Sequence, residues 1–167
     1  MNKLNSTRLF YFLVFLACIG LLGFGLYLEY GKGLEPCPLC VFQRITYILI
    51  ALIAFIATLH NPGKVSGRIY CGLIVFSALA GTGIAGRQVW LQHLPADQVP
   101  ECGPGLEYML EAFPFGQALK MILSGSGECA EIQWQFLGFS IAEWSLGCFL
   151  ILIISGVIPL MSGNKSV

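Results

Sequence analysis

The stretch from Leu9 to Leu28, LFYFLVFLACIGLLGFGLYL, runs without a charge between Arg8 and Glu29. A helix of about 20 mostly apolar residues crosses a bilayer core, so this stretch alone takes the chain out of the class of ordinary soluble domains. Two further stretches repeat the pattern: Ile69–Gly86 between Arg68 and Arg87, and Trp144–Asn164 between Glu143 and Lys165. Ile45–His60 is short by itself. A helix there spans only if it begins upstream, near Pro38 to Val41, which puts Arg44 in its first turns, snorkelling to the interface. Composition agrees, with 56% of the 167 residues apolar, 11% charged and a mean hydropathy of +0.77. Net charge is zero and no basic run is present, so nothing points to nucleic acid.

The expected fold is an all-α membrane protein, a four-transmembrane-helix bundle in a single domain covering 1–167. Its helices are expected at about 9–28, 41–60, 69–90 and 143–162. Outer loops are expected at about 29–40 and 91–142, and the helix-breaking Asn61-Pro-Gly-Lys-Val-Ser-Gly forms the inner turn. The first run is too long for the apolar part of a signal peptide and no small-x-small site follows it, so it reads as a retained helix. The large outer loop reads as mobile, with Tyr108 to Leu123 forming one or two short interfacial helices broken at Pro114 and Gly116.

Lys3, Arg8, Lys64, Arg68 and Lys165 fall on one side of this topology. Lys32 and Lys120 lie in the loops of the other, with Arg44 and Arg87 at helix ends. The bias places both termini in the cytoplasm. Trp90, Trp134 and Trp144 gather at the outer boundary, as an aromatic belt does. Cys37, Cys40, Cys102 and Cys129 all face outward, into the side where disulfides persist, while Cys18, Cys71 and Cys148 sit in or at the ends of spans and read as small buried hydrophobes.

The chemistry concentrates in Glu35-Pro-Cys37-Pro-Leu-Cys40-Val-Phe-Gln-Arg44. A Cys-x-x-Cys pair cycles between dithiol and disulfide, and a helix N-terminus favours the thiolate. Arg44 lies four residues after Cys40, on the same helix face, where its guanidinium can steady a thiolate or a ligand oxygen. The competing reading is a structural loop disulfide beside a snorkelling arginine. Cys102 and Cys129, separated by 26 residues, read alone as a staple for a loose loop. Beside the first pair they also suit exchange, because exposed loop disulfides are the labile ones. Zinc is disfavoured, since only one Cys-x-x-Cys unit is present. The small residues Gly81, Thr82, Gly83, Ala85 and Gly86 read mainly as a close-packing surface, or else as room for a flat ligand.

Together these features resemble the DsbB family of disulfide bond formation proteins. The specific matches are Cys37-Pro-Leu-Cys40 with Arg44, and Gly127-Glu-Cys129-Ala-Glu-Ile-Gln-Trp134-Gln-Phe-Leu-Gly138. The resemblance implies a quinone-dependent thiol oxidase of the bacterial inner membrane that reoxidises a DsbA-like periplasmic thioredoxin-fold protein. It implies that the partner thiol attacks the Cys102–Cys129 disulfide at Cys102. Electrons then pass to Cys37–Cys40 and on to ubiquinone or menaquinone, with Arg44 holding a quinone oxygen. Some members carry a quinone-linked histidine near the outer end of the third span. Here His93 stands further along the helix and Gln88 holds the equivalent place, so either residue is a candidate for that contact. Two other classes remain open on the residues alone. One is a vitamin K epoxide reductase-like oxidase, in which the order of the two cysteine pairs would be reversed. The other is a non-enzymatic membrane subunit with structural disulfides.

Overall fold

The computed structural model describes residues 3–95, 97–100, 108 and 111–161. Helix α1 (Lys3–Leu26) runs into a π-helical turn (Tyr27–Gly31), and together they form a first apolar span, Thr7–Gly31. Helices α2 (Pro38–His60) and α3 (Lys64–Gln92) follow as spans two and three, joined by a tight turn at Asn61–Gly63. Two shorter helices, α4 (Phe115–Ser124) and α5 (Gly127–Ala130), precede a two-stranded hairpin, β1 (Gln135–Phe136) and β2 (Phe139–Ser140). Helix α6 (Ile141–Met161) supplies the fourth span.

These helices are apolar all round, as lipid-facing helices must be where no water is present to satisfy polar groups. Leu13, Leu52, Phe76, Ile151 and Ile154 all point outward to where acyl chains lie. Lipid is as apolar as leucine, so the helices gain little from burying hydrophobic surface against each other. Close packing at small residues carries the association instead. Helix α1 packs on α2, α2 on α3, and α3 on α6. Ala54, Ala57, Ala78 and Ala85 are buried at these contacts. Gly81 receives the ring of Phe149, which is fully buried and stacks on Tyr47 with centroids 4.3 Å apart and planes 8° off parallel. Tyr47 then ties α2 to α6 by donating its hydroxyl to the Ser145 carbonyl at 3.2 Å. Of the small residues of the third span, Gly81 and Ala85 thus serve packing, whereas Gly83 and Gly86 have open space where a side chain would stand.

Three local features depart from the sequence patterning. The first span continues past Leu28, because the π turn adds a wider loop of helix that carries Glu29 to Arg44. Pro114 precedes α4 as its N-cap, but Gly116 lies within the helix and does not break it. The β1–β2 hairpin falls where only loop is expected. Its two turn residues, Leu137 and Gly138, have φ of 53° and 84°, the left-handed pair that a type I′ turn requires. Leucine gives no turn signal there, so the hairpin is invisible to pattern reading.

Between Ala118 and Ser140 the outer segment packs onto the bundle. Ala118, Ile122, Ser126, Cys129 and Ser140 are all buried. Gly125, at φ +78°, lies so close to Leu91 that an added Cβ would overlap its Cδ1. The left-handed backbone and the missing side chain together let α4 and α5 settle onto the ends of α2 and α3.

The Gly81–Phe149 contact leaves no space for a methyl group. Gly81→Ala is expected to destabilise the bundle by about 1–3 kcal/mol, read as a lowered midpoint of thermal unfolding in detergent. A wild-type midpoint would show that Phe149 has room to move.

Candidate functional site

Helix α2 cannot start before Pro38. Proline at the first helical position lacks the N–H that would otherwise go unpaired, and its ring fixes the helical φ. Cys37 is the N-cap, extended at φ −65° and ψ 161°, and its sulfur accepts the Cys40 backbone N–H at 3.3 Å. The two side chains are folded onto one another, with their sulfurs 2.8 Å apart. That is less than an ångström beyond the ~2.05 Å of a disulfide, so the pair can close without moving the helix. Cys40 lies in the first turn, where the unpaired N–H groups of a helix start favour an anion.

Two buried amides surround these sulfurs. Gln88, on α3, points Nε2 at Cys40 Sγ at 3.2 Å and at Cys37 Sγ at 3.4 Å. Gln43, one turn after Cys40, donates Nε2 to Gln88 Oε1 at 2.7 Å. Both are about 95% buried, at 5% and 4% exposure, which is unusual for glutamine and costly unless its hydrogen bonds are made.

Cys129 approaches from the other side. Helix α5 carries it fully buried into an apolar cluster with Cys37, Leu39 and Leu91. Its backbone N–H donates to the Ser126 carbonyl at 2.9 Å, and Arg87 Nη2 holds the preceding segment by donating to the Ser124 carbonyl at 2.8 Å. Cys37 and Cys129 share a hydrogen bond, which acts on the two thiols in opposite directions. Cys37 is pushed well above its ordinary value, chiefly by its hydrogen bonds to Cys129 and Cys40 and then by burial. Cys129 is drawn down to about 6, because Cys37 donates to its thiolate more than burial opposes it. At neutral pH Cys37 is the proton holder and Cys129 the thiolate, the reactive form of the group.

Beside the sulfurs lies a cavity of about 340 Å³, with Cys37, Cys40, Gln88 and Arg44 on its wall. Helices α1 and α6 flank it with apolar side chains, among them Phe24, Trp144 and Cys148, and the hairpin covers it with Phe136. Trp134 stacks on Phe136 and meets Phe24 edge-on, with ring centroids 6.0 and 5.5 Å apart. Arg44 forms an ion pair with Glu29 of the π turn and donates Nη2 to the Gly25 carbonyl at 3.2 Å. Those contacts hold the guanidinium at the cavity wall.

The structure therefore brings together Cys37, Cys40, Cys129 and Arg44 from the sequence-based set. Cys102 lies outside the described residues. His93 is not among them: it is exposed just after α3, with Nδ1 near the Val89 carbonyl at 2.9 Å and Nε2 3.9 Å from Glu143. Gln88, more than one turn earlier, occupies the cavity wall instead. Pattern reading missed Glu29 and Gln43 as site residues. An acid just beyond the first apolar run and a glutamine beside Arg44 were the available signals, but neither reveals its partner without the helix packing.

Four membrane-spanning helices with three thiols gathered at one end define a membrane-embedded thiol protein. A family model described as Disulfide bond formation protein DsbB matches residues 7–158. The Disulfide bond formation protein B of Hahella chejuensis is 57% identical over 145 residues, covering 87% of this chain and 88% of that protein. That of Acinetobacter baumannii is 53% identical over 150 residues, covering 89% and 88%. That of Aromatoleum aromaticum is 49% identical over 152 residues, covering 91% of each. The chain belongs to the DsbB family of disulfide bond formation proteins.

The opposed shifts of Cys37 and Cys129 give a titration test. In the reduced protein, alkylation of Cys129, followed at its own peptide by mass spectrometry, is expected to rise with a midpoint at about pH 6, and Cys37→Ala should move that midpoint up. A midpoint near the ordinary thiol value of 9.0 would show that the hydrogen bond from Cys37 is not made.

Proposed function

We propose that the protein is a quinone-dependent protein-disulfide oxidoreductase that reoxidises a DsbA-like periplasmic dithiol protein. The observation that carries this reading is the continuous line of sulfurs, Cys129 to Cys37 to Cys40, ending at an apolar cavity with Arg44 on its wall. A purely structural pair of disulfides needs neither the line nor the cavity.

A thiolate of the reduced partner attacks Cys102 of the Cys102–Cys129 disulfide, and Cys129 leaves as thiolate. The partner's second thiolate then displaces Cys102, releasing the partner as disulfide. Cys129 thiolate attacks Cys37 of the Cys37–Cys40 disulfide, forming a Cys129–Cys37 bond and sending the electron pair to Cys40. Cys37 meets both Cys129 and Cys40, which suits this displacement. Cys102 then takes back Cys129 and restores the outer disulfide, leaving Cys37 and Cys40 reduced.

The cavity residues fit a quinone, ubiquinone or menaquinone. Its apolar aromatic walls suit a flat ring. Arg44 spends only some of its N–H donors on Glu29 and Gly25, so others remain for a carbonyl oxygen. When bound, the quinone supplies the electron sink, taking two electrons and two protons. Cys40 holds the electron pair at the cavity wall, and Arg44 offsets negative charge that develops beside it. Trp144, Phe136 and the α1 side chains give the cavity an apolar wall beside the sulfurs.

This reading places the protein in the bacterial inner membrane, with the cysteine end periplasmic and both termini cytoplasmic, in line with the lysine and arginine bias. The test is anaerobic quinone reduction by the purified protein with a reduced thioredoxin-fold dithiol protein as donor. Quinone loss requiring both protein and donor is expected, and Cys40→Ser should abolish it without unfolding the bundle. Activity surviving in Cys40→Ser would overturn the order of the relay. Arg44→Ala should raise the apparent KM for quinone by about tenfold, the worth of a charge-assisted hydrogen bond, while leaving the KM for the donor protein unchanged.

A further inference from the structure

We infer that Gln88 is the hydrogen-bond donor that receives the Cys40 thiolate when the Cys37–Cys40 disulfide opens, and that Gln43 is the positioning residue that fixes its orientation. The inference rests on the relay reading for its purpose but on geometry for its substance. When a thiolate attacks Cys37, the Cys37–Cys40 bond breaks and its electron pair moves onto Cys40 Sγ. A newly formed thiolate in an apolar setting needs a donor already in place. Gln88 Nε2 stands 3.2 Å from that sulfur.

A free amide can rotate to offer either its oxygen or its nitrogen, so one glutamine does not make a reliable donor. Gln43 removes the ambiguity. Its Nε2 donates to Gln88 Oε1 at 2.7 Å, which turns the Gln88 amide so that its NH2 faces the sulfurs. Gln88 Oε1 is farther from Cys40 Sγ, at 3.6 Å, and already occupied. The reverse arrangement would present an acceptor oxygen to the sulfur, which a protonated thiol satisfies and a thiolate does not. Both amides are buried, so water does not compete for these bonds.

The amides are also neutral, which separates their work from that of the charged groups facing the same cavity. Those groups are Arg44 with its partner Glu29, the carboxylates Glu35, Glu128 and Glu131, and the thiols of Cys37 and Cys129 beside Cys40. Helix α6 contributes the thiol of Cys148, and α3 contributes Gln88 and Gln92 without a charge. A neutral donor stabilises the thiolate without adding charge to a cavity already holding the Arg44–Glu29 pair.

The experiment uses the full-length protein in detergent, fully reduced, with neither quinone nor donor protein added. The rate of Cys40 alkylation by iodoacetamide is followed against pH by mass spectrometry of the Cys40 peptide. Gln88→Met removes the donor at nearly constant shape. It should move the Cys40 midpoint up by about one pH unit, the size expected for a hydrogen bond to a charged group. Gln43→Met should move it up by less, since Gln88 stays but is free to turn. The double variant should move it no further than Gln88→Met alone, because Gln43 acts only through Gln88. Gln88→His, which restores an N–H donor, should bring the midpoint back toward wild type. A wild-type profile in folded Gln88→Met would overturn the inference, as would fully additive shifts in the double variant. Should Gln88→Met not fold, Gln43→Met still decides: an unshifted profile there overturns the positioning role. Because no quinone or partner is present, failure of the relay reading would appear separately, as absent quinone reduction by the wild-type protein.

Discussion

The start of α2 sets the geometry of everything around it. Pro38 forces the helix to begin there, so Cys37 must cap it, and the cap turns the Cys37 sulfur back onto the first turn where Cys40 stands. One backbone constraint thereby closes the Cys-x-x-Cys pair, places Cys40 at the positive end of the helix, and leaves Cys37 facing outward to meet Cys129. Had the helix begun a turn earlier, the two cysteines would lie at ordinary helical positions, with no cap to fold Cys37 onto Cys40.

The surroundings are built to keep that arrangement from drifting. Gly125 closes against Leu91 with no room for a side chain, Arg87 takes the Ser124 carbonyl, and Cys129 is carried into the cluster with Leu39 and Leu91. On the cavity side, Glu29 and the Gly25 carbonyl pull Arg44 inward. Burying polar groups such as Gln43, Gln88 and the Arg44–Glu29 pair is costly, and is sustained because each is hydrogen-bonded in place. Polar groups concentrated at one end of an otherwise apolar bundle mark a working site rather than a packing requirement.

The α1 and α6 walls of the cavity follow from the packing order. Helix α3 binds α6 and α2 binds α1, so α1 and α6 stand at the two outer flanks of the cavity, and the aromatic hairpin bridges its mouth. Trp134, Phe136 and Trp144 thus combine the membrane-interface role their composition suggests with a covering role that composition does not reveal.

The four spans were legible because a bilayer selects for length and apolarity, properties that a sequence carries openly at each stretch. The Cys-x-x-Cys pair and Arg44 were legible for a related reason, since their spacing of three and four residues is local to one helix turn. Tertiary structure alone decided which groups meet across helices: Cys129 with Cys37, Gln88 with Cys40, Glu29 with Arg44. Gln88 lies 48 residues from Cys40, and no periodicity links them. His93 and Gln88 were both candidates along the chain, yet His93, just after α3, lies exposed while Gln88, on α3, lies on the cavity wall. Contacts of that kind depend on the rotation of each helix about its axis and on backbone exceptions such as the π turn and the left-handed Leu137, which packing selects and local sequence does not announce.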